Sequence, residues 1–227
     1  MSVYQNIKNI LDDIGETCLK SGREAGSVTL IAVSKTKTPE LMLEAYEAGQ
    51  RHFGENYVQE ALSKIEALPG DIKWHMIGHL QSNNAKNVAG RFSLLHTVDR
   101  TSLADALNKQ ADKLDINIPV LLQTNLAGEE TKSGADSGGA FKMAREADRW
   151  PRLQIRGLMC IPPFGMEAEE SRPHFRALRE LAKKIGAECP SSVKMEQLSM
   201  GMSHDYRVAI EEGATLVRVG SAIFGER

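Results

Sequence analysis

Cysteine is scarce and unpatterned. Cys18, Cys160 and Cys189 are odd in number and widely separated, so neither a disulfide framework nor a CxxC metal or redox motif is present, and reduced thiols are expected. Excess positive charge is lacking too. The net charge of -2 leaves no basic footprint for nucleic acid or an anionic membrane, which makes a small molecule the default ligand. No apolar run approaches the ~20 residues that span a bilayer, and the start MSVYQNIKNILDDIG has neither the basic beginning nor the apolar centre of a signal peptide. Those absences point to the cytoplasm. The glycine fingerprint GxGxxG and the zinc motif HExxH are also missing: His75 and His79 straddle Gly78 at a strand end rather than sharing a helical face, and no metal is expected.

What the chain does contain is a regular alternation. With 41% hydrophobic and 26% charged residues it has the composition of a globular protein. Val3, Ile7, Ile10, Leu11, Ile14 and Cys18 recur at helical spacing, predicting an amphipathic helix over the first ~20 residues. An apolar run, TLIAVSKTKT at 29–38, predicts the first strand. Thr38-Pro39 then reads as an N-cap followed by proline in the first helical turn, opening a helix that stops at Gly49. Further strand-like runs occupy 51–53, 73–77, 94–98, 118–125, 154–161, 195–199 and 214–219. Helical patterns lie between them at 58–67, 82–89, 101–114, 138–148, 172–185 and 205–212. Eight such units without a linker predict an α/β fold, one (β/α)8 TIM-type barrel domain spanning 1–227 and preceded by a helix. A doubly wound open sheet is the alternative, disfavoured by the missing glycine fingerprint.

A barrel of this kind places function at the C-terminal ends of its strands. Lys35, Asn56, His79, Met159 and Ser199 fall at or just past them. Lys35 shares a strand face with Ile31 and Val33 and projects from the exit of the first strand. Two late loops suit an anion: LSMGMSHD, at 198–205, and RVGSAIFG, at 218–225. They offer hydroxyls at Ser199, Ser203 and Ser221, close backbone approach at Gly201 and Gly220, and amides at the start of a helix. Loops seven and eight commonly hold phosphate in such barrels. Arg218 alternates with Val217 and Val219, so its guanidinium faces either a ligand in the barrel mouth or an acidic partner at the rim. An amine opposite a phosphate cradle suggests a ligand with both an aldehyde and a phosphate, and pyridoxal 5'-phosphate (PLP) fits.

The segments AVSKTK (32–37), FGENYVQE (53–60), WHMIGHLQSN (74–83), TKSG (131–134), RGLMCIPP (156–163), LSMGMSHD and VRVGSAIFG together resemble the pyridoxal phosphate homeostasis proteins, also called the YggS/PROSC family. These are single-domain relatives of the alanine racemase N-terminal barrel. The resemblance implies that Lys35 carries PLP as an internal aldimine, that Ser199, Gly201, Gly220 and Ser221 surround the phosphate, and that Arg218 faces the pyridine nitrogen. It puts Asn56 and His79 in the matching mouth segments and has Met200 lend a backbone amide. Family members usually read LQSNK, whereas Asn84 follows Asn83 here, with Lys86 the next lysine. Lys132, in TKSG, is either a transimination lysine or an ordinary surface one.

Two function classes compete. One is an enzyme such as a PLP-dependent racemase; the other is a carrier that masks the aldehyde and passes the cofactor to apo PLP enzymes. Two features favour the carrier. The chain stops at Arg227, two residues after Gly225, so no second domain supplying an opposing tyrosine base is expected. A guanidinium beside the pyridine nitrogen also resists its protonation and weakens the ring as an electron sink. A complete barrel with no added dimer element leans monomeric. A sugar-phosphate aldolase using Lys35 is a third, weaker reading, since no general acid or base is adjacent in sequence.

Overall fold

The computed structural model describes residues 2–128 and 133–225. Among these, eight parallel strands close a barrel in the order β1 to β8: Thr29–Val33, His52–Glu55, Lys73–Met76, Leu94–Val98, Ile118–Thr124, Leu153–Cys160, Gln197–Ser199 and Leu216–Val219. The intervening helices are α2 Pro39–Glu47, α3 Val58–Ala67, the short α4 Ala85–Val88, α5 Thr101–Leu114, α6 Ser137–Arg145, α7 Arg172–Glu188 and α8 Tyr206–Glu211. A last turn, α9 Ser221–Phe224, follows β8. Closure is made by β1 and β8, where Thr29 pairs with Leu216 and Ile31 with Arg218. The expected barrel is therefore present, and the open-sheet alternative is excluded.

The leading helix, α1 Val3–Lys20, packs on α2, α8 and α9. Ser2 caps it by accepting from Gln5 N, and Val3, Ile7, Ile10, Ile14 and Cys18 are buried. Leu11 departs from the expected stripe and is exposed, while Thr17 takes a buried place with its hydroxyl donated to Asp13 O. Two further expectations are corrected. The first strand stops at Val33, well short of the 29–38 run, which leaves Lys35 in the turn just past the strand end, as its expected place at the exit requires. Thr38 occupies the N-cap position, yet its side chain makes no capping bond to the helix. Its side chain is engaged by the Glu40 carboxylate instead.

Two cores result. Between sheet and helices lies the larger one, including Phe53, Trp74, Leu103, Leu107 and Phe175. Inside the barrel the apolar set is small, comprising Ile31, Leu94, Leu121, Met159 and Leu216. Alternation along the same strands sends His52, His75, His96, Gln123, Ser199 and Arg218 to that inner face as well. The barrel centre is thus half polar.

Gly78 shows how tightly the strand exits are set. A Cβ there would stand 2.2 Å from Asn56 O and 2.6 Å from Asn56 Cα, backbone atoms that cannot swing aside. Gly78→Ala is expected to cost about 1–3 kcal/mol, a drop of roughly 2–12 °C in Tm for a domain of this size. Thermal unfolding by circular dichroism measures it, and an unchanged Tm would contradict this packing.

Candidate cofactor site

A cavity of about 1090 Å³ opens at the C-terminal ends of the strands. Its wall includes Val33 at the end of β1 and Lys35 just past it, Asn56 after β2, Ile77 after β3, the 161–167 loop after β6, Met202 to His204 after β7, and Arg218, Gly220 and Ser221 around β8. Phe164, almost fully exposed, stands on its rim. One wall atom has unmet demand: Asn56 Oδ1 is buried with no hydrogen-bond partner. A buried polar atom of that kind on a cavity wall is what a ligand would satisfy.

The turn that carries Lys35 is held from below. Lys64 of α3 is buried, and its Nζ donates to Ser34 O at 2.7 Å, Glu55 Oε1 at 2.8 Å and Glu60 Oε1 at 2.7 Å. Ser34 Oγ donates to Glu55 Oε1 at 2.7 Å, and Thr36 N donates to Glu60 Oε1 at 2.6 Å. Lys35 is therefore flanked by two anchored residues. Thr36 adopts a left-handed φ of 62°, a conformation that costs a non-glycine residue energy and persists because these bonds over-determine it. Burial raises the Glu55 carboxyl above its ordinary pKa, against the opposing bonds from Lys64 and Ser34.

Arg218 enters from β8 and is nearly inaccessible to solvent. Its Nη1 donates to Ser199 Oγ at 2.6 Å and its Nη2 to Cys160 O at 3.0 Å. Among the described residues no carboxylate forms an ion pair with it. Burial pulls the guanidinium below its usual pKa, but arginine starts so high that it stays cationic at neutral pH. Next to it, Gly220 N donates to Ser203 Oγ at 3.3 Å, tying the β7 and β8 loops together. The β7 loop is pressed onto α8 at Gly201 (φ 89°), where a Cβ would lie 2.6 Å from that of Ala209.

Residues 11–227 match the family model for the alanine racemase N-terminal domain. A pyridoxal phosphate homeostasis protein of Aquifex aeolicus is 42% identical, the match covering 100% of this chain and 99% of the relative. The chain belongs to the pyridoxal phosphate homeostasis protein family. The PLP-bound structure of PipY from Synechococcus elongatus PCC7942 aligns with a TM-score of 0.85 at 37% identity, over 99% of this chain and 100% of that one. Alanine racemase from Bartonella henselae shares the fold, with a TM-score of 0.73 at 17% identity over 58% of its chain.

For this family member the structure brings Lys35, Asn56, Arg218, Gly220 and Ser221 to one cavity. It does not bring the other expected residues to the wall. Ser199 is fully buried below it, its hydroxyl engaged by Arg218 and by His96 Nδ1 at 2.9 Å, because alternation in β7 turns it into the barrel interior. Met200 is buried, and Gly201 serves the tight approach to α8. His79 is half exposed, with its Nδ1 3.0 Å from Ser133 Oγ. Lys132 lies outside the described residues. Sequence reasoning missed Lys64, Glu60 and His96. A buried lysine in an amphipathic helix carries no local sign of its partners, but the arginine in an otherwise apolar strand did signal that polar company was needed inside.

Removing Lys64 leaves Glu55 buried without its cation, so Lys64→Met should destabilise by about 3–5 kcal/mol in urea unfolding near neutral pH. The pH sign follows from Glu55. Its pKa is raised in the folded state, which therefore holds the proton more tightly than the unfolded chain, so stability falls as pH climbs through the raised value. Without Lys64 that raise grows, and the penalty should be smaller near pH 5 than near pH 7.5. Equal penalties at both would show that Glu55 and Lys64 are not coupled.

Proposed function

We propose that this chain binds PLP in the mouth cavity through Lys35 and serves vitamin B6 homeostasis as a monomeric carrier in the cytoplasm, handing the cofactor to apo PLP enzymes. The observation that carries the reading is the convergence on one cavity wall of an amine from the β1 exit, a guanidinium from β8, and the hydroxyls and amides of the β7 and β8 loops. The family's name and the PLP-bound PipY structure support it.

The residues present fit the group. Lys35 offers a primary amine on an anchored turn; Ser203, Gly220 and Ser221 offer hydroxyl and amide donors for a phosphate; Arg218 offers a cation to the pyridine nitrogen; and Asn56 Oδ1 is an acceptor in need of a donor. When bound, PLP supplies an aldehyde that condenses with amines and a ring that draws electron density from them. Arg218 keeps its proton and opposes protonation of the ring nitrogen, which limits that withdrawal and favours holding over turnover. The anchors at Ser34 and Thr36 hold the backbone on either side of Lys35. Since no helix of the described residues is long and apolar enough to cross a membrane, delivery by diffusion in the cytoplasm suits this reading. Alanine racemase, with the same barrel, makes an amino-acid-processing enzyme the second reading.

Purified protein loaded with PLP should absorb visible light, and borohydride should fix a pyridoxyl group on the Lys35 peptide; Lys35→Ala should lose the band. Label on another lysine would overturn the assignment. Mixed with an apo PLP enzyme, loaded protein should restore its activity while racemising or decarboxylating single L-amino acids far below the ~1–1000 per second of ordinary enzymes. Rapid saturable turnover would instead establish the enzyme reading.

For the phosphate, removing one charge-assisted bond costs roughly 1.5–3 kcal/mol, so Ser221→Ala should weaken PLP affinity about ten- to hundredfold. Pyridoxal, lacking the phosphate, should bind both proteins alike. Equal losses for the two ligands would make Ser221 structural.

A further inference from the structure

Below the cavity, the Ser199 hydroxyl begins a line of polar contacts that runs down the barrel interior. His96 Nδ1 lies 2.9 Å from Ser199 Oγ, His75 Nδ1 lies 2.9 Å from His96 Nε2, and His52 Nδ1 lies 2.9 Å from His75 Nε2. The rings sit on the adjacent strands β2, β3 and β4, with centroids 5.2 Å and 5.1 Å apart. His75 and His96 are buried, and His52 is partly exposed at the start of β2, away from the cavity. Among the described residues no group of three or more such side chains is disposed to hold a metal ion, so this is a line and not a ligand cluster.

The chemistry of the ends fixes its direction. A guanidinium donates and never accepts, so Ser199 Oγ must accept from Arg218 Nη1. Ser199 has one proton to give, and among the described residues its remaining partner is His96 Nδ1. A buried hydroxyl is rarely left unmatched, so the proton goes there and His96 Nδ1 must be bare. Burial, with His75 and Arg218 nearby, holds the His96 ring neutral; burial, with His52, pushes His75 down to about 3. Burial and Lys73 lower His52 too. A neutral ring with a bare Nδ1 carries its proton on Nε2. His96 therefore donates to His75 Nδ1, and His75 in turn donates to His52 Nδ1.

We propose that His96, His75 and His52 are positioning residues for Arg218, forming a one-directional hydrogen-bond chain from Arg218 through Ser199 that locks all three imidazoles as Nε2–H tautomers and fixes the guanidinium at the cavity wall. Donors aligned in one sense polarise one another, so the line strengthens the Arg218 contact at its head. It does not deliver protons to the cavity, since that would require the guanidinium to lose one. The proposal rests on the cofactor-binding reading for its ligand half only; the tautomers are a property of the protein alone.

Long-range proton–nitrogen NMR of the 15N-labelled, unliganded full chain tests the lock. Signals are assigned with single histidine variants. Between about pH 6 and 8 all three rings should show a bare Nδ1 and a protonated Nε2. An Nδ1–H tautomer or an imidazolium at His96 or His75 would overturn the proposal. The positioning role is tested by His75→Leu, which cuts the line without touching the cavity, and His75→Gln, whose amide oxygen can accept and whose amide nitrogen can donate in the original sense. His75→Leu should raise the Kd for PLP roughly three- to thirtyfold and shift the visible maximum of bound PLP, while His75→Gln restores both toward the parent. Parental affinity and spectrum in His75→Leu, with only Tm lowered, would make the histidines structural and sink the idea. Should His75→Leu fail to fold, His52→Leu at the partly exposed end takes its place, with a mixed His75 tautomer and the same direction of shift expected. A parent that fails to bind PLP at all would refute the cofactor reading, while the NMR pattern would still decide the chain.

Discussion

A permanent cation in the middle of a barrel has to be accommodated by everything around it. Burying an unpaired guanidinium costs several kcal/mol even after the protein relaxes, and among the described residues no carboxylate forms an ion pair with Arg218. The structure meets that cost with oxygen acceptors instead: Ser199 Oγ and the Cys160 carbonyl, each charge-assisted and together worth roughly 3–6 kcal/mol against leaving the donors unmade. Using Ser199 as an acceptor then obliges the protein to receive its proton, which draws His96, His75 and His52 into the interior. A barrel that would ordinarily be filled by branched aliphatics is left with Ile31, Leu94, Leu121, Met159 and Leu216 as its apolar share. Because no carboxylate among the described residues forms an ion pair with Arg218, its charge remains available to the cavity.

On the other side of the cavity the solution is different. Lys64, Glu55 and Glu60 bring two carboxylates to one ammonium, and the three together hold the backbone on either side of Lys35. The Lys35 amine thus sits on a short anchored turn, supported by an ion-paired network under α3, and not on a free loop. The two networks are separate, one outside the sheet and one inside it. Each fixes one end of the same cavity, so the geometry between amine and guanidinium is set by the rigid sheet between them.

Much of this plan can be read along the chain. The alternation of apolar runs and helical patterns specified eight units, and the loops after the seventh and eighth strands were recognisable as anion sites from their glycines and hydroxyls. Lys35, Asn56, Arg218, Gly220 and Ser221 were identified and meet at one wall. Ser199 lies at the end of β7, where it was expected, yet its hydroxyl turns inward to Arg218 and His96, and the reason is physical. In a parallel barrel both faces of a strand are buried, one by helices and one by the interior, so an apolar pattern does not say which way a residue at the strand end faces. Leu11 and Thr38 failed more locally: a helical stripe has a margin that solvent can claim, and the Thr38 side chain bonds the Glu40 carboxylate instead of a helix amide.

The fold, the family and the place of the amine at the β1 exit are legible along the chain, because they rest on periodicity, turn residues and short motifs, all of them local properties. The polar partnerships emerge only once the chain is folded. Lys64 meets Ser34 across 30 residues and Arg218 meets Cys160 across 58, while His96 meets Ser199 across 103. No pattern in a single chain encodes such pairings, since they arise from closing β1 on β8 and from the register in which the strands align. That closure set the direction of each inward side chain, and with it which polar groups had to satisfy one another.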